Sequence, residues 1–160
     1  RLVERVAEYG WCVCLWMDPD LLVEKRTFFE NLPVQLVLDH RGHLPAGTGT
    51  SHPAFRMICD WLDQGRAWVK LSGWYFDSGE ENYGDTLAIG REYVKANPNR
   101  LLWGTDWPHP NRYSKRKPCP DDSALLDALF DMAEDEETVY KTLVENPAKL
   151  FGFSNSGQEA

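Results

Sequence analysis

Four short apolar runs set the fold class. They are WCVCLWM (11–17), VQLVLDH (34–40), AWVKLSG (67–73) and RLLWGTD (100–106), starting 23 to 33 residues apart. Amphipathic segments of helical length lie between them, so the strands cannot be joined by hairpins. The spacing predicts βαβ units and a parallel sheet. Runs such as QLVLD, apolar without alternation, fit strands covered on both faces. Asp18-Pro19 reads as an N-cap and first-turn proline ahead of a helix through Leu22 to Leu32, with Leu22, Phe28 and Phe29 on its apolar side. Other helices are expected over 2–7, stopped by Gly10, over 53–63, and over 86–96, closed by Asn97-Pro98. Two more fall within 121–151, the second interrupted at Asn146-Pro147.

The connections are lopsided. Long loops leave the second, third and fourth strands: 41–52, rich in glycine; 74–85; and 107–120, rich in proline and basic residues. The returns from helix to strand are short. In parallel α/β folds the carboxyl ends of the strands carry the site, and here those ends are Asp39-His40, Ser72-Gly73 and Asp106. Strand alternation places His40 with Leu36 and Leu38, Lys70 with Ser72, and Asp106 with Gly104 and Leu102. If the sheet closes on itself, the inward set is His40, Lys70, Ser72 and Asp106. A lysine in mid-strand must be paired or bind an anion. Aspartate and histidine together suit general acid–base work or metal ligation. The same two residues also suit a turn cap and a hydrogen-bonded strand end. His43, His52 and His109 lie in loops and read as solvated or structural.

With 160 residues the chain is one domain with a real core. A net charge of −8 excludes a general nucleic-acid binder or a basic membrane-surface protein, and an anionic substrate would need a local basic pocket. Cys12, Cys14, Cys59 and Cys119 show neither CxxC nor zinc-finger spacing and read as reduced, mostly buried thiols of a cytoplasmic protein. No apolar run reaches the length of a membrane span and no signal peptide is visible. The chain opens on Arg1, as a processed product or an excised fragment would.

LVLDHRGH, VKLSGWY, RLLWGTDWPHP and the terminal NPAKLFGF resemble, in order, the motifs of the amidohydrolase-related (amidohydrolase 2) family, within it the branch typified by 2-pyrone-4,6-dicarboxylate hydrolase. GTDWPHP followed by PCPDD is the most specific part. The resemblance implies a (β/α)8 barrel of the TIM type and hydrolysis of a small lactone. Asp106 would activate the water and His40 would bind and polarise the substrate. Lys70, Ser72, Tyr75 and Arg112 are the expected substrate contacts. The family pattern allows either no cofactor or one divalent metal such as zinc, with Asp106 and His40 as ligands here.

Two departures stand out. The family's His-x-His pair is absent and only four strands are found, whereas a barrel takes about 250 residues. Residues 1–153 are therefore expected to be the C-terminal portion of one barrel domain, about four βα units plus C-terminal helices, inactive alone, with 154–160 a disordered tail. Its open sheet edge invites self-association. Relatives often read KLSGxYR, and Phe76 stands where that arginine would be, which argues against a dicarboxylate pyrone; Arg41, Lys70, Arg112 and Lys115 are other sources of positive charge. Competing readings are a metal-dependent decarboxylase of aromatic or muconate acids, and a ligand-binding module stacking on Trp74, Tyr75, Trp107 and Tyr113.

Overall fold

Each apolar run forms a strand shorter than itself, and in the last three the polar residues at the carboxyl end leave the sheet. In a computed structural model, which describes residues 1–80 and 82–153, these are β1 (Val13–Leu15), β2 (Leu36–Leu38), β3 (Ala67–Leu71) and β4 (Leu101–Trp103). All pair parallel, in the order β1-β2-β3-β4. The tail expected over 154–160 lies outside the described residues.

Before the sheet comes α1 (Leu2–Glu8), and after β1 come α2 (Pro19–Glu24) and α3 (Arg26–Glu30). The single helix expected over Leu22–Leu32 is thus two. Lys25, at φ −95° and ψ 14°, breaks the run, and Phe28 turns outward while Leu22 and Phe29 stay buried. Asp18 caps α2 as expected, accepting from the amides of Asp20 and Leu21. Then follow α4 (Pro53–Asp63), α5 (Gly84–Ala96), α6 (Pro110–Ser114), α7 (Asp122–Ala133), α8 (Glu136–Tyr140) and α9 (Asn146–Phe151). The irregularity in the C-terminal helix falls earlier than expected. Residues Lys141–Glu145 widen into a π turn just ahead of Pro147, whose missing amide removes an i→i−4 donor.

One face of the sheet buries Leu36, Leu38, Val69, Leu71 and Leu101 under Ile58, Trp61 and Leu62 of α4, Tyr93 of α5, and Leu129 and Met132 of α7. α7 can approach α5 because position 90 is glycine: a Cβ there would run into the Met132 side chain. On the other face Val37, Trp68 and Leu102 form a small cluster with Cys12 and Leu150. This pairing corrects the alternation argument. Register sets Leu36 and Leu38 beside Ala67 and Val69, on the helix-covered face, while Val37 pairs with Trp68 and Lys70 with Leu102 on the other. His40 is therefore not carried to the site by strand parity; the turn after β2 takes it there. The thiols also differ from expectation: Cys14 and Cys119 are exposed, and Cys12 and Cys59 half-buried. Among the described residues no helix is long and apolar enough to cross a membrane.

Candidate active site

The site begins where β2 ends. His40, Arg41, Gly42 and His43 all have positive φ (50°, 53°, 71° and 56°), so four successive residues turn left-handed. For residues with a Cβ this costs roughly 1–2 kcal/mol each and must be held from outside. Arg41 holds it. Its side chain is only 2% exposed, and its guanidinium donates to the carbonyl oxygens of Leu44 (3.1 Å) and Gly73 (2.7 Å) and to the Asp77 carboxylate. Tyr93 donates its hydroxyl to the Arg41 carbonyl at 3.1 Å. The loop after β2 is thereby tied to the loop after β3. Gly73 completes the fit: at φ 69° it lies so close that a Cβ would sit 2.8 Å from that of His40.

Held this way, the His40 ring lies 3.0 Å through Nδ1 from the Ser72 hydroxyl. That hydroxyl can donate or accept, and so serves either tautomer. The other ring nitrogen, Nε2, faces Asp106 Oδ1 at 3.6 Å, longer than a hydrogen bond. Burial lowers the pKa of His40, outweighing the pull of Asp106 and Asp39, so the imidazole is neutral near pH 7. Asp106, three residues past β4 at φ 68°, receives the Tyr75 hydroxyl on Oδ2 at 2.6 Å. Burial, and then Asp106 itself, raises the Tyr75 pKa, so the phenol stays a donor. Asp106 thus has one oxygen engaged and one turned to a neutral imidazole, an arrangement that can accept a proton from a third group.

Of the substrate contacts expected from sequence, Ser72 and Tyr75 join His40 and Asp106. Arg112 does not reach the carboxylate. It donates to the Tyr75 carbonyl at 2.6 Å, with its guanidinium 5.4 Å from that ring's centroid, and so braces Tyr75. Lys70 points to the second sheet face, where it is ion-paired with Asp39. Its charge still contributes to lowering the His40 pKa.

His52 caps α4 through Nδ1, 3.1 Å from the Ala54 amide. His109, read as solvated or structural, is buried, with Nε2 3.1 Å from Asp122 and Nδ1 without a partner among the described residues. His43 packs against His40 and Phe76, and burial pulls its pKa down from 6.5 to about 4. The stacking platform dissolves: Trp74 and Tyr75 are buried, while Trp107 and Tyr113 are exposed. Sequence reasoning named Arg41 only as a source of positive charge and missed both its anchoring role and its partner Asp77. The available signal was an arginine beside a glycine inside HRGH, where a left-handed turn needs both a permissive residue and an anchor.

A catalytic zinc takes three protein ligands and a structural one four. Among the described residues no group of three or more His, Cys, Asp or Glu is placed to hold a metal, and His40 and Asp106 supply two donors. The described residues alone do not make a metal site.

The family model described as Amidohydrolase matches residues 1–153, and the chain belongs to that family. It is 33% identical to the 4-sulfomuconolactone hydrolase of Hydrogenophaga intermedia, over 95% of this chain and 50% of that protein. It is 34% identical to the 2-pyrone-4,6-dicarboxylate hydrolase of Comamonas testosteroni, over 94% and 52%. Among solved structures, an apo protein of Agrobacterium tumefaciens superimposes with a TM-score of 0.82 at 30% identity, over 95% of this chain and 54% of that one. The chain spans about half the length of the curated relatives it matches.

Proposed function

We propose that this chain is the C-terminal half of a (β/α)8 barrel whose complete form hydrolyses a small lactone in the cytoplasm. Residues 1–153 would supply four consecutive βα units and the closing helices. The unswitched strand order and the helices packed on one main sheet face support that reading, since doubly wound sheets reverse their order. The placement of Asp106 carries the functional part. It has one oxygen held by Tyr75, the other 3.6 Å from His40 Nε2, and it follows the last strand by three residues in a family with lactone hydrolases among the relatives.

In this reading Asp106 Oδ1 takes a proton from water as the water oxygen attacks the ring carbonyl. Neutral His40 donates a hydrogen bond to the oxyanion that forms. Collapse breaks the ring C–O bond, and Asp106 returns the proton to the departing ring oxygen, leaving a hydroxy acid. Ser72 and Tyr75 fix His40 and Asp106, and Arg112 acts through Tyr75 rather than on substrate. Lys70 contributes charge from its pair with Asp39.

The test is a panel of lactones assayed on the complete protein encoded by the gene, with and without chelator, beside Asp106→Asn. Turnover that survives chelation and is lost with the variant supports the reading. Activity lost to chelator moves the weight to a metal-dependent hydrolase or decarboxylase, and no turnover on any lactone removes the substrate class. The 160-residue chain alone leaves β1 and β4 as sheet edges and is expected to self-associate; a monodisperse monomer in sedimentation would contradict that.

A further inference from the structure

Beside the reacting groups stands a wall of rings. Phe76 meets the His40 ring edge-on at 4.7 Å and stacks on His43 at 5.8 Å with an interplanar angle of 29°. Trp16, from just past β1 and 68% exposed, meets His43 edge-on at 5.0 Å. These rings come from the loops after three different strands, so the wall is assembled by the fold and not by one flexible segment.

The cations whose charge reaches His40 and His43 are each paired with a carboxylate, Arg41 with Asp77 and Lys70 with Asp39. Arg112 gives one N–H to the Tyr75 carbonyl and keeps its charge beside that ring, outside the wall. Lys115, Arg116 and Lys117 are exposed in the loop after β4. Among the described residues, then, the His40 side of the site offers aromatic surface and a neutral imidazole, and no cation there is without a partner. A carboxylate laid against it would shed water with no cation to pair with, only the Nε2 of a neutral His43, which has no partner among the described residues. A flat apolar group would gain burial and ring contacts.

We infer that Trp16, His43 and Phe76 form a specificity wall beside His40 that takes an uncharged, flat apolar substituent of the lactone and rejects a carboxylate there. This rests on the lactone reading above and narrows it to a substrate class.

The test compares γ-phenyl-γ-butyrolactone with the same lactone carrying a carboxylate in place of the phenyl group. Both are offered to the complete protein and to Phe76→Arg. The wild type is expected to favour the phenyl compound by about tenfold or more in kcat/KM. Phe76→Arg is expected to move that ratio toward the carboxylate compound, because a guanidinium pairs with it. Equal or reversed preference in the wild type, or a ratio unmoved by the variant, overturns the inference while leaving the lactonase reading intact. Calorimetric binding of both compounds to Asp106→Asn separates the two claims. If the wild type turns over neither compound but the variant still binds the phenyl one more tightly, the wall stands and the lactonase reading falls. If the phenyl compound has no binding advantage, the wall falls.

Discussion

At the amino ends of the strands, side chains close off backbone groups in ordinary geometry. Asn97 donates to the Leu62 carbonyl at 2.9 Å, Asn146 to those of Pro98 (2.9 Å) and Leu101 (2.8 Å), and Arg66 to that of Phe29 at 2.7 Å. The carboxyl ends are built differently. Of the eight non-glycine residues with positive φ among the described residues, all but Glu134 lie in the loops after β2, β3 and β4. Satisfied carbonyls hold one end; strained turns, the first of them held by a buried arginine, make the other. Strain gathered at one end of a sheet marks where geometry serves something besides stability.

The comparison breaks most visibly at Asp106. Asp106→Asn in the complete protein is expected to lower turnover about 10²–10⁴-fold, the usual worth of a general base, with unfolding little changed. Retained turnover would remove the carboxyl end's special status. Arg41→Met comes next. It leaves two carbonyls without their donor and the left-handed turn without an anchor, while half-exposed Asp77 keeps the Ala46 amide, and each carbonyl left unsatisfied costs about 1–3 kcal/mol. Denaturant midpoints would register that loss, and Asp77→Asn should show part of it.

Asn146→Ala is the control from the other end. Leaving two carbonyls unsatisfied should cost about 1–3 kcal/mol without altering KM or kcat beyond the loss of folded protein. A selective change in KM there would blur the distinction between the ends.

Acid supplies the smallest effect. Folded His43 stays neutral down to about 4, whereas the unfolded residue takes up a proton near 6.5. Stability is therefore complete above about 6.5 and falls as the pH drops from there toward 4. Urea midpoints measured at pH 7 and pH 5 should drop less in His43→Phe than in the wild type, and equal drops would mean that His43 is not the group protonated.

What the sequence made legible was periodic or positional. The β/α alternation, the three polar strand ends and the Asp18 cap all follow from local pattern. The placing of His40, Ser72 and Asp106 at one end of the sheet followed from where strands end, and Tyr75 was expected from the resemblance alone. Parity failed at His40 because β2 stops at Leu38 and the chain turns left-handed, which period-two counting cannot register. Arg112 and Lys70 were expected as substrate contacts, and the structure gives each a protein partner. An arginine or lysine near a site reads as a ligand for anions, and only tertiary contacts reveal which groups it already meets. The stack of Phe76 on His43 joins loops from different strands and leaves no trace in either one.

The Arg41 anchor has a consequence for how such a protein can change. It fixes His40 through contacts that do not involve Phe76, although the two rings touch. The apparatus that places the imidazole and the surface that greets the substrate are therefore under separate control. Replacing Phe76 alters clientele while the reacting groups stay put; replacing Arg41 dismantles the turn before any substrate is chosen. A lineage built on this scaffold can drift in what it accepts without relearning how to react.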